Sequence, residues 1–272
     1  MNGQPSKHGV KVPLGISIIA CNEAERLPRA LASVAGWVEE IVVVINDCSD
    51  ATAAVAESFG ARVVGHAWEG YREQKNFATA QMRAQWVFNL DADEEISAEL
   101  KRSIVDFLTS PEAKLYEGAT CPRCVWFLGR WIRHGDWYPD TKLRLFRREA
   151  GRWVDGGGDV HEEAVVSGQV KKLDGDLFHY SFPTLKSHVL KMPLYAENHL
   201  RRELASGKKW SLTHTLFRPA WRFFRAYVLK RGFCDGFPGF YIAAATAFST
   251  LLRYSRLYEH KRQNSLPPHL SR

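Results

Sequence analysis

The sequence predicts an α/β protein with an open, mostly parallel sheet, helices on both faces of that sheet, and a helical C-terminal extension. Short apolar runs alternate with helical segments between residues 15 and 90, which is typical of such a sheet. Polar residues follow three of the apolar runs, at the sheet edge where open α/β sheets bind their ligands. Charge is divided unevenly: from residue 201 onward there are 14 Lys and Arg against 3 Asp and Glu, but 23 against 27 before it. A mildly acidic sheet domain therefore precedes a strongly basic segment.

The elements follow from the spacing of apolar residues. Four strands are predicted, each an apolar run bounded by polar residues or glycine: 15–20, 41–45, 62–65 and 86–90. Three helices are predicted between them: one beginning near Pro28 with Leu27, Leu31 and Val34 on one face, one at 50–59 and one at about 73–83. From residue 118 the alternation stops, and the aromatic, Arg- and Gly-rich stretch 121–158 predicts loops and short antiparallel strands.

Composition excludes several classes of protein. With 45% hydrophobic and 25% charged residues the chain is not disordered, and five cysteines are too few for a disulfide scaffold. The first residues contain no long apolar run, so we expect no signal peptide and a protein that stays in a reducing cytosol. Cys121 and Cys124 form a C-x-x-C motif without a second ligand pair, and we interpret them as incidental thiols. Neither a P-loop nor a dinucleotide-binding glycine motif is present.

The polar strand ends are Asn22-Glu23, Asn46-Asp47 and Asp91-Ala92-Asp93. Any one of them could be a helix cap or a turn, but three in successive units indicate a site. Two carboxylates separated by one residue suit Mg²⁺ or Mn²⁺ that bridges a diphosphate. Glu94 and Glu95 follow, and we interpret them as structural, since acidic residues favour the first turn of a helix.

These segments resemble the family 2 glycosyltransferases of GT-A fold. The resemblance is carried by ISIIACNEAERLPRALASV, the Asp50-Ala51-Thr52 turn, Gln74-Lys75-Asn76 and WVFNLDADEEIS. Within the family, FLGRWIRHGDWYPDTKLRLFRR, Val160-His161-Glu162 and Phe178-His179-Tyr180-Ser181 bring the chain nearest to the bacterial lipopolysaccharide inner-core transferases. The resemblance runs from residue 13 to about residue 259, and it implies a nucleotide-diphosphate sugar donor, a divalent cation and inversion at the anomeric carbon.

The resemblance also implies the donor site. Ala20, Asn22 and Glu23 would line the nucleoside pocket, and Asp93 would be the principal metal ligand. Asp91 would lie near the ribose or hold the metal through water. The commoner family form has Asp directly after the second strand, where this chain has Asn46, so the expected nucleotide contact is Asp47. Lys75 would reach the donor phosphates, with a solvated helix lysine as its alternative. Apart from the resemblance, the polar/apolar alternation around Arg144 and Arg147 suggests that these two could reach phosphates from one face of a strand, with surface arginine as the alternative.

The catalytic base of an inverting transfer is a carboxylate that takes a proton from the acceptor hydroxyl. Glu162 is the first choice, and Asp159 and Glu163 are the alternatives. The preceding glycines, 156–158, would let this loop fold over a bound donor. His161 would complete the metal shell or orient the diphosphate; its alternative is a structural hydrogen bond.

An aromatic-polar group is expected to bind the acceptor, because aromatic faces pack on sugar C–H faces: Trp131, His134, Trp137 and Tyr138. The alternative is a small hydrophobic core under a loop.

The basic tail alternates Arg and Lys with aromatic residues over 216–233 and then has 16 uncharged positions at 237–252. Sixteen residues are fewer than the roughly 20 that span a bilayer, so we expect helices that lie in the interface of an anionic membrane. The alternatives are a buried helical hairpin or an oligomer contact; a nucleic-acid partner is not expected, because it would not need the apolar run.

The predicted organisation has four parts. A disordered N-terminus at 1–11 is followed by a GT-A domain at 12–205, with a nucleotide-sugar half at 12–117 and an acceptor half at 118–205. A basic, aromatic, membrane-associating helical region at 206–262 and a disordered tail at 263–272 follow.

The predicted function is an inverting, metal-dependent transfer of glucose from a UDP-sugar to a lipid-linked saccharide such as the lipopolysaccharide inner core. The predicted location is the cytoplasmic face of the bacterial inner membrane, as a peripheral protein. Transfer to a polyprenyl phosphate and a non-catalytic membrane tether are the alternatives.

Overall fold

A computed structural model describes residues 11–156, 162–182, 184–207 and 209–263. The expected disordered ends lie outside the described residues, apart from Lys11 and Gln263. The chain forms two compact units: the first comprises Met1–Arg123 and Asp140–His179, and the second comprises Cys124–Pro139 and Tyr180–Arg272.

The first unit is built on a sheet, and its strands and helices run in this order: β1 Val12–Ala20, α1 Leu27–Val34, β2 Val38–Ile45, α2 Thr52–Ser58, β3 Arg62–Gly65, α3 Tyr71–Ala80, β4 Trp86–Asn89, β5 Glu94–Ile96, α4 Ala98–Thr109, β6 Gly118–Phe127, β8 Asp140–Arg147, β9 Arg152–Asp155, β10 Glu162–Val165, β11 Val170–Lys172 and β12 Leu177–His179. The strand order is β3-β2-β1-β4-β8-β6-β12-β5. The first four strands in that order are parallel, and β8 continues the sheet in the antiparallel sense. The mixed α/β, GT-A-like fold is therefore confirmed.

Helices cover both faces of the parallel part, as predicted. The β-branched run of β2 alternates between the faces: Ile41 and Val43 pack with α1, α2 and α4, whereas Val42 and Val44 pack with Ala78 of α3. A strand buried on both faces has no polar side, which is why this segment is continuously apolar. The sheet is thus held rigidly between two layers, with its carboxyl edge left open.

The predicted strands and helices between residues 15 and 90 are all present. The third strand is found at the predicted residues, and the helix expected at 73–83 is α3, which begins at Tyr71 and ends at Ala80. Pro28 lies in the first turn of α1, where its missing N–H is no loss. Short antiparallel strands also follow residue 118, as the loss of alternation indicated.

The second unit is mainly helical, and the predicted C-terminal helical extension is confirmed. It contains β7 Arg130–Ile132, which pairs with the last residues of β6, and then α5 Leu185–Ala205, α6 Leu212–Phe224, a π-helical turn at Arg225–Leu229 and α7 Gly236–Gln263. Helix α5 begins at a capping box in which Thr184 and Ser187 satisfy each other's backbone N–H groups. Among the described residues, no helix has both the length and the apolar content needed to cross a bilayer.

Candidate active site

A cavity of about 540 Å³ lies in the first unit, at the carboxyl edge of the parallel strands β1, β2 and β4. Open α/β sheets bind ligands at this edge, because the connections that leave neighbouring strands diverge there. The cavity is lined by side chains from all three strand ends and from α3, β10 and β12: Ile19, Ala20, Cys21, Glu23, Asn46, Trp68, Tyr71, Lys75, Asp91, Ala92, Asp93, Glu162 and His179. Six of the residues predicted from the sequence are therefore brought together here: Ala20, Glu23, Lys75, Asp91, Asp93 and Glu162.

The loops after β1 and β2 are tied together by side-chain hydrogen bonds. Asn22 has a left-handed backbone with φ of 56°, and its Oδ1 accepts from the backbone N–H of Ser49 at 2.8 Å. Thr52 Oγ1 accepts from the backbone N–H of Glu23 at 2.9 Å. The Asn22 side chain is thus engaged in the loop itself, whereas that of Glu23 lines the cavity, where burial raises its pKa.

The second strand end presents Asn46 to the cavity rather than Asp47. Asp47 also has a left-handed backbone, with φ of 39°, and is exposed. Its predicted contact with the nucleotide stays a prediction.

Lys75 is the central cation of the cavity. Its side chain is only 6% exposed, so the alternative of a solvated helix lysine is wrong. Its Nζ donates to Glu162 Oε1 at 2.9 Å and lies 3.2 Å from Asp91 Oδ1. The ammonium also lies 4.4 Å from the ring centroid of Trp153, a cation–π distance. Helix α3 therefore positions one buried positive charge between two carboxylates.

Arg144 lies behind this group and is 4% exposed, so the surface alternative is wrong for it as well. It donates through Nη2 to Asp91 Oδ2 and to Glu94 Oε1, each at 2.6 Å. Burial alone would raise the pKa of Asp91, but the charges of Arg144 and Lys75 hold it well below its usual range. Arg144 does not line the cavity; it fixes the carboxylate of Asp91, which does.

Glu94 and Glu95 do not begin a helix, so that part of their interpretation is wrong. They form β5, which pairs with β12 through Glu94 and His179. Glu94 is fully buried, where the ion pair with Arg144 offsets the cost of taking its charge out of water.

Asp93 presents its carboxylate to the cavity beside His179. The distance from Asp93 Oδ2 to His179 Nε2 is 3.5 Å, and the Asp93 side chain is 24% exposed. Burial would raise the pKa of Asp93, but the hydrogen bond with His179 lowers it below its usual value. Sequence reasoning missed His179 as a site residue, although Phe178-His179-Tyr180-Ser181 was among the segments that carry the resemblance.

Glu162 and Glu163 lie on opposite faces of β10, as neighbours on a strand do. The Glu162 side chain is 13% exposed and faces Lys75, whereas Glu163 is exposed to solvent. Asp159 and His161, the other predicted residues of this loop, lie outside the described residues, as do glycines 157 and 158.

Two aromatic side chains at the cavity were missed. Trp68 lies in the connection between β3 and α3, and Tyr71 is the first residue of α3; their ring centroids are 4.8 Å apart in an edge-to-face contact. They are 46% and 53% exposed. The signal in the sequence was a pair of aromatic residues on either side of Gly70, directly before Gln74-Lys75-Asn76.

The aromatic group predicted to bind the acceptor lies in the second unit. Trp131 packs against Trp126 and Tyr180, with ring centroids 5.1 and 5.3 Å away. His134 donates its backbone N–H to Asp235 Oδ2 at 2.8 Å. Trp137 packs on the apolar cluster around Phe127. Tyr138 follows it and is half-buried. The described contacts of Trp137 are those of a small core, and the acceptor role of the group stays a prediction.

The two cysteines of the C-x-x-C motif are free and buried. Burial raises the pKa of Cys121 to about 12, which keeps this thiol protonated and unreactive.

The cavity offers carboxylates as donors for a divalent cation. Among the described residues, no three His, Cys, Asp or Glu side chains meet closely enough to hold a metal ion by themselves. Mg²⁺ and related hard cations are commonly held by one or two carboxylates, with substrate phosphates and water supplying the other ligands. Asp93, which opens onto the cavity, fits that pattern.

The chain is similar in sequence to several known proteins. The sequence profile of "Glycosyl transferase family 2" matches residues 16–157. An uncharacterized glycosyltransferase of Rickettsia felis is 30% identical over 255 residues, covering 89% of this chain and 88% of that protein. The lipopolysaccharide core biosynthesis glycosyltransferase LpsC of Rhizobium meliloti is 28% identical over 263 residues, covering 94% and 96%. Among solved structures, TarS 1-349 of S. aureus covers 92% of this chain and 91% of its own, with a TM-score of 0.44 and 12% identity.

The profile spans more than half of the chain, and the R. felis protein is similar along most of its length. The sequence segments and the α/β sheet with its acidic cavity agree with both matches, so the chain is a transferase that belongs to glycosyl transferase family 2.

Proposed function

We propose that this chain transfers glucose from UDP-glucose to a lipid-linked saccharide, with inversion at the anomeric carbon. The acceptor we propose is the lipopolysaccharide inner core, in line with the name of LpsC, to which the chain is similar along most of its length. The observation that carries the proposal is the arrangement of Lys75 between Asp91 and Glu162 beside Asp93, all in one cavity.

The donor diphosphate is proposed to lie against Lys75. A diphosphate is strongly anionic, and the ammonium of Lys75 is a buried cation that faces the cavity. The nucleoside would occupy the part of the cavity bounded by Ala20, Glu23 and Asn46. Two carboxylates close to Lys75 would repel the diphosphate unless further positive charge came with it, which supports the use of a divalent cation.

Asp93 is the residue we propose to hold Mg²⁺ or Mn²⁺, with His179 orienting its carboxylate. Such a cation, when bound, neutralises the charge that develops on the departing diphosphate. Asp91 would act through Lys75 and Arg144, since its two oxygens face those two cations.

Glu162 is proposed to be the catalytic base. It would take the proton of the acceptor hydroxyl while that oxygen bonds to the anomeric carbon and the bond from that carbon to the diphosphate breaks. One carboxylate is sufficient, because an inverting transfer forms no covalent sugar intermediate. The Glu162 carboxylate has the required access, since it lines the cavity.

Association with an anionic membrane is proposed for the basic C-terminal region. Large apolar side chains are exposed there, including Phe217, Trp221, Phe237 and Phe240, amid an excess of Lys and Arg. That combination is typical of helices that lie in a membrane interface. It would hold the enzyme at the leaflet that carries a lipid-linked acceptor.

The proposed reaction is tested by comparing Glu162→Gln with Glu163→Gln. The assay measures UDP released from UDP-glucose in the presence of lipopolysaccharide cut back to its inner core. We expect E162Q to lose about 100- to 10,000-fold in rate, because a general base contributes that much. E163Q is the matched control: the same chemical change, one residue further along β10 and on its exposed face, should leave the rate unchanged.

Two results would contradict the proposal. Full activity of E162Q would show that Glu162 is not the catalytic base. It would favour a phosphate as the acceptor group, because a phosphate oxygen needs no base to remove a proton. A wild-type protein that releases no UDP above background would contradict the proposed donor and acceptor.

A further inference from the structure

One nearly buried carboxylate in the second unit faces three cations. Asp136 lies in a short 3-10 turn, and its side chain is 4% exposed. Arg222 Nε lies 2.8 Å from its Oδ2, while Arg225 Nη1 and Lys230 Nζ lie 3.3 and 3.1 Å from its Oδ1. The three cations belong to one continuous segment, from the last turn of α6 to the end of the π-helical turn.

The charges of this cluster do not balance. Asp136 neutralises one of the three positive charges, so two remain in a space set by the size of one carboxylate. Like charges gathered around one carboxylate repel one another, and they do so more strongly near a protein surface than in bulk water. One cation would be enough for a purely structural ion pair, and the second and third therefore require another explanation.

The three cations are also accessible. Arg222, Arg225 and Lys230 are 43%, 36% and 37% exposed, although each contacts a carboxylate that is almost completely covered. A guanidinium carries five N–H donors, of which a single contact uses only a part. Donors therefore remain on the solvent side of the cluster, and guanidinium forks match the oxygens of a phosphate.

The segment that carries the three cations also exposes apolar side chains. Four large hydrophobic side chains of the same segment are between 43% and 56% exposed: Trp221, Phe224, Val228 and Leu229. Exposed aromatic and aliphatic side chains beside Arg and Lys are typical of a surface that meets lipid headgroups.

We propose that Arg222, Arg225 and Lys230 form a binding site for a phosphate group, and that Asp136 holds these three side chains in one place. The ligand is a compound that carries a phosphate group, either a lipid headgroup or a soluble phosphate. The site is made only of residues of the second unit and does not depend on the proposed sugar transfer.

The test uses the full-length chain and two probes. Vesicles of phosphatidylcholine, with or without an equal part of phosphatidic acid, are sedimented with the protein to measure lipid binding. Inorganic phosphate is titrated calorimetrically to measure binding of the soluble anion. The test variant replaces Arg222, Arg225 and Lys230 by Gln, and we expect it to bind at least one probe about tenfold more weakly.

A matched control removes the same net charge elsewhere in the second unit. Lys186, Arg201 and Lys209 are exposed, and their triple replacement by Gln should leave binding unchanged. A general attraction between a basic protein and an anion would weaken equally in both triple variants. A specific site predicts loss in the first variant only.

Asp136→Asn is a second test variant, for which the expected change in binding has the opposite sign. It keeps the proposal testable if the triple variant fails to fold. This variant keeps all three cations and, through the amide oxygen of Asn, an acceptor that still positions them, but it removes the negative charge that competes for them. We therefore expect tighter binding of the probe. Loss that is confined to vesicles, with gain in D136N, supports a lipid phosphate; the same pattern with inorganic phosphate supports a soluble ligand. Equal binding by the two triple variants, or no gain in D136N with either probe, would overturn the proposal.

Discussion

Asp91 and Asp93 differ in how accessible their carboxylate oxygens are to a ligand, although only one residue separates them. The two oxygens of Asp91 face Lys75 and Arg144, at 3.2 and 2.6 Å. Asp93 faces His179 at 3.5 Å and opens onto the cavity. The D-x-D motif therefore combines a carboxylate that organises cations with one that is accessible to a bound metal, and this division underlies the proposed roles.

The ion pairs of Asp91 predict a pH-dependent contribution to stability. Its pKa is lowered in the folded chain, so its contribution is fully present above the unfolded pKa of about 3.9 and is lost as the pH falls through the folded pKa. Asp91→Asn should lower the free energy of unfolding by about 3 kcal/mol at neutral pH, because Arg144 and Lys75 each lose a partner. The deficit relative to wild type should shrink below about pH 4.

Urea unfolding at neutral pH and at several acidic pH values measures this deficit. Asp106→Asn is the control, since Asp106 is exposed on α4 and its replacement should cost little at any pH. A D91N deficit that stays constant as the pH falls would contradict the assigned role of the ion pairs.

At the scale of single residues, the sequence predicts those site residues that belong to short local motifs. Asp93 could be singled out because the D-x-D motif follows an apolar strand, and Lys75 because Gln74-Lys75-Asn76 resembles a segment of the family. His179 could not, since its proximity to Asp93 depends on β12 pairing with β5, a contact between distant parts of the chain. The burial of Glu94 beside Arg144 has the same cause.

Among the elements, length decides which could be predicted. Strands β1 and β2 are long apolar runs buried on both faces, and their pattern is visible without a structure. Strands β5 and β12 have three residues each, and they are strands because β5 pairs with β12 and β12 lies between β5 and β6 in the sheet. Glu94 and Glu95 favour a helix start locally, and that pairing overrides the preference.

The turn before β12 depends on a glycine. Gly175 has a φ of 86°, and a Cβ added there would lie 2.2 Å from the backbone nitrogen of Leu100, in the first turn of α4. Gly175→Ala should therefore destabilise the chain by about 3 kcal/mol or more, through a clash with backbone in addition to the strained φ. Such a change would also disturb β12, which carries His179.

Gly60→Ala is the matched control for this prediction. Gly60 has a similar φ of 77°, but nothing lies within 4 Å of an added Cβ. Its replacement should cost only the backbone strain of about 1–2 kcal/mol. Thermal and urea unfolding of the two variants measure the difference, and equal destabilisation would show that the contact with α4 is unimportant.

At the scale of the whole molecule, each of the two compact units is built from two separate stretches of the sequence. Charge and composition predict a basic C-terminal region, and the helices of that region are present. The second compact unit, however, also includes Cys124–Pro139, which precedes the end of the sheet in the chain. A boundary made by contacts between distant segments leaves no mark in composition, so it could not be predicted. The proposed boundary at residues 205 and 206 and the membrane role of the tail stay predictions.

The proposed roles of the site residues all require that the cavity bind a nucleotide diphosphate together with a cation held by Asp93. The measurement that tests it most directly is the shift in unfolding temperature with UDP and UDP-glucose, in the presence of Mn²⁺, Mg²⁺ or a chelator. A ligand at a hundred times its Kd stabilises the folded state by about 2.7 kcal/mol. We expect a shift that requires the metal in the wild type and in Asp106→Asn, and that is absent in Asp93→Asn. A folded wild-type protein that shows no shift with either nucleotide, or the same shift in D93N and with chelator, would contradict the account and favour a non-catalytic tether.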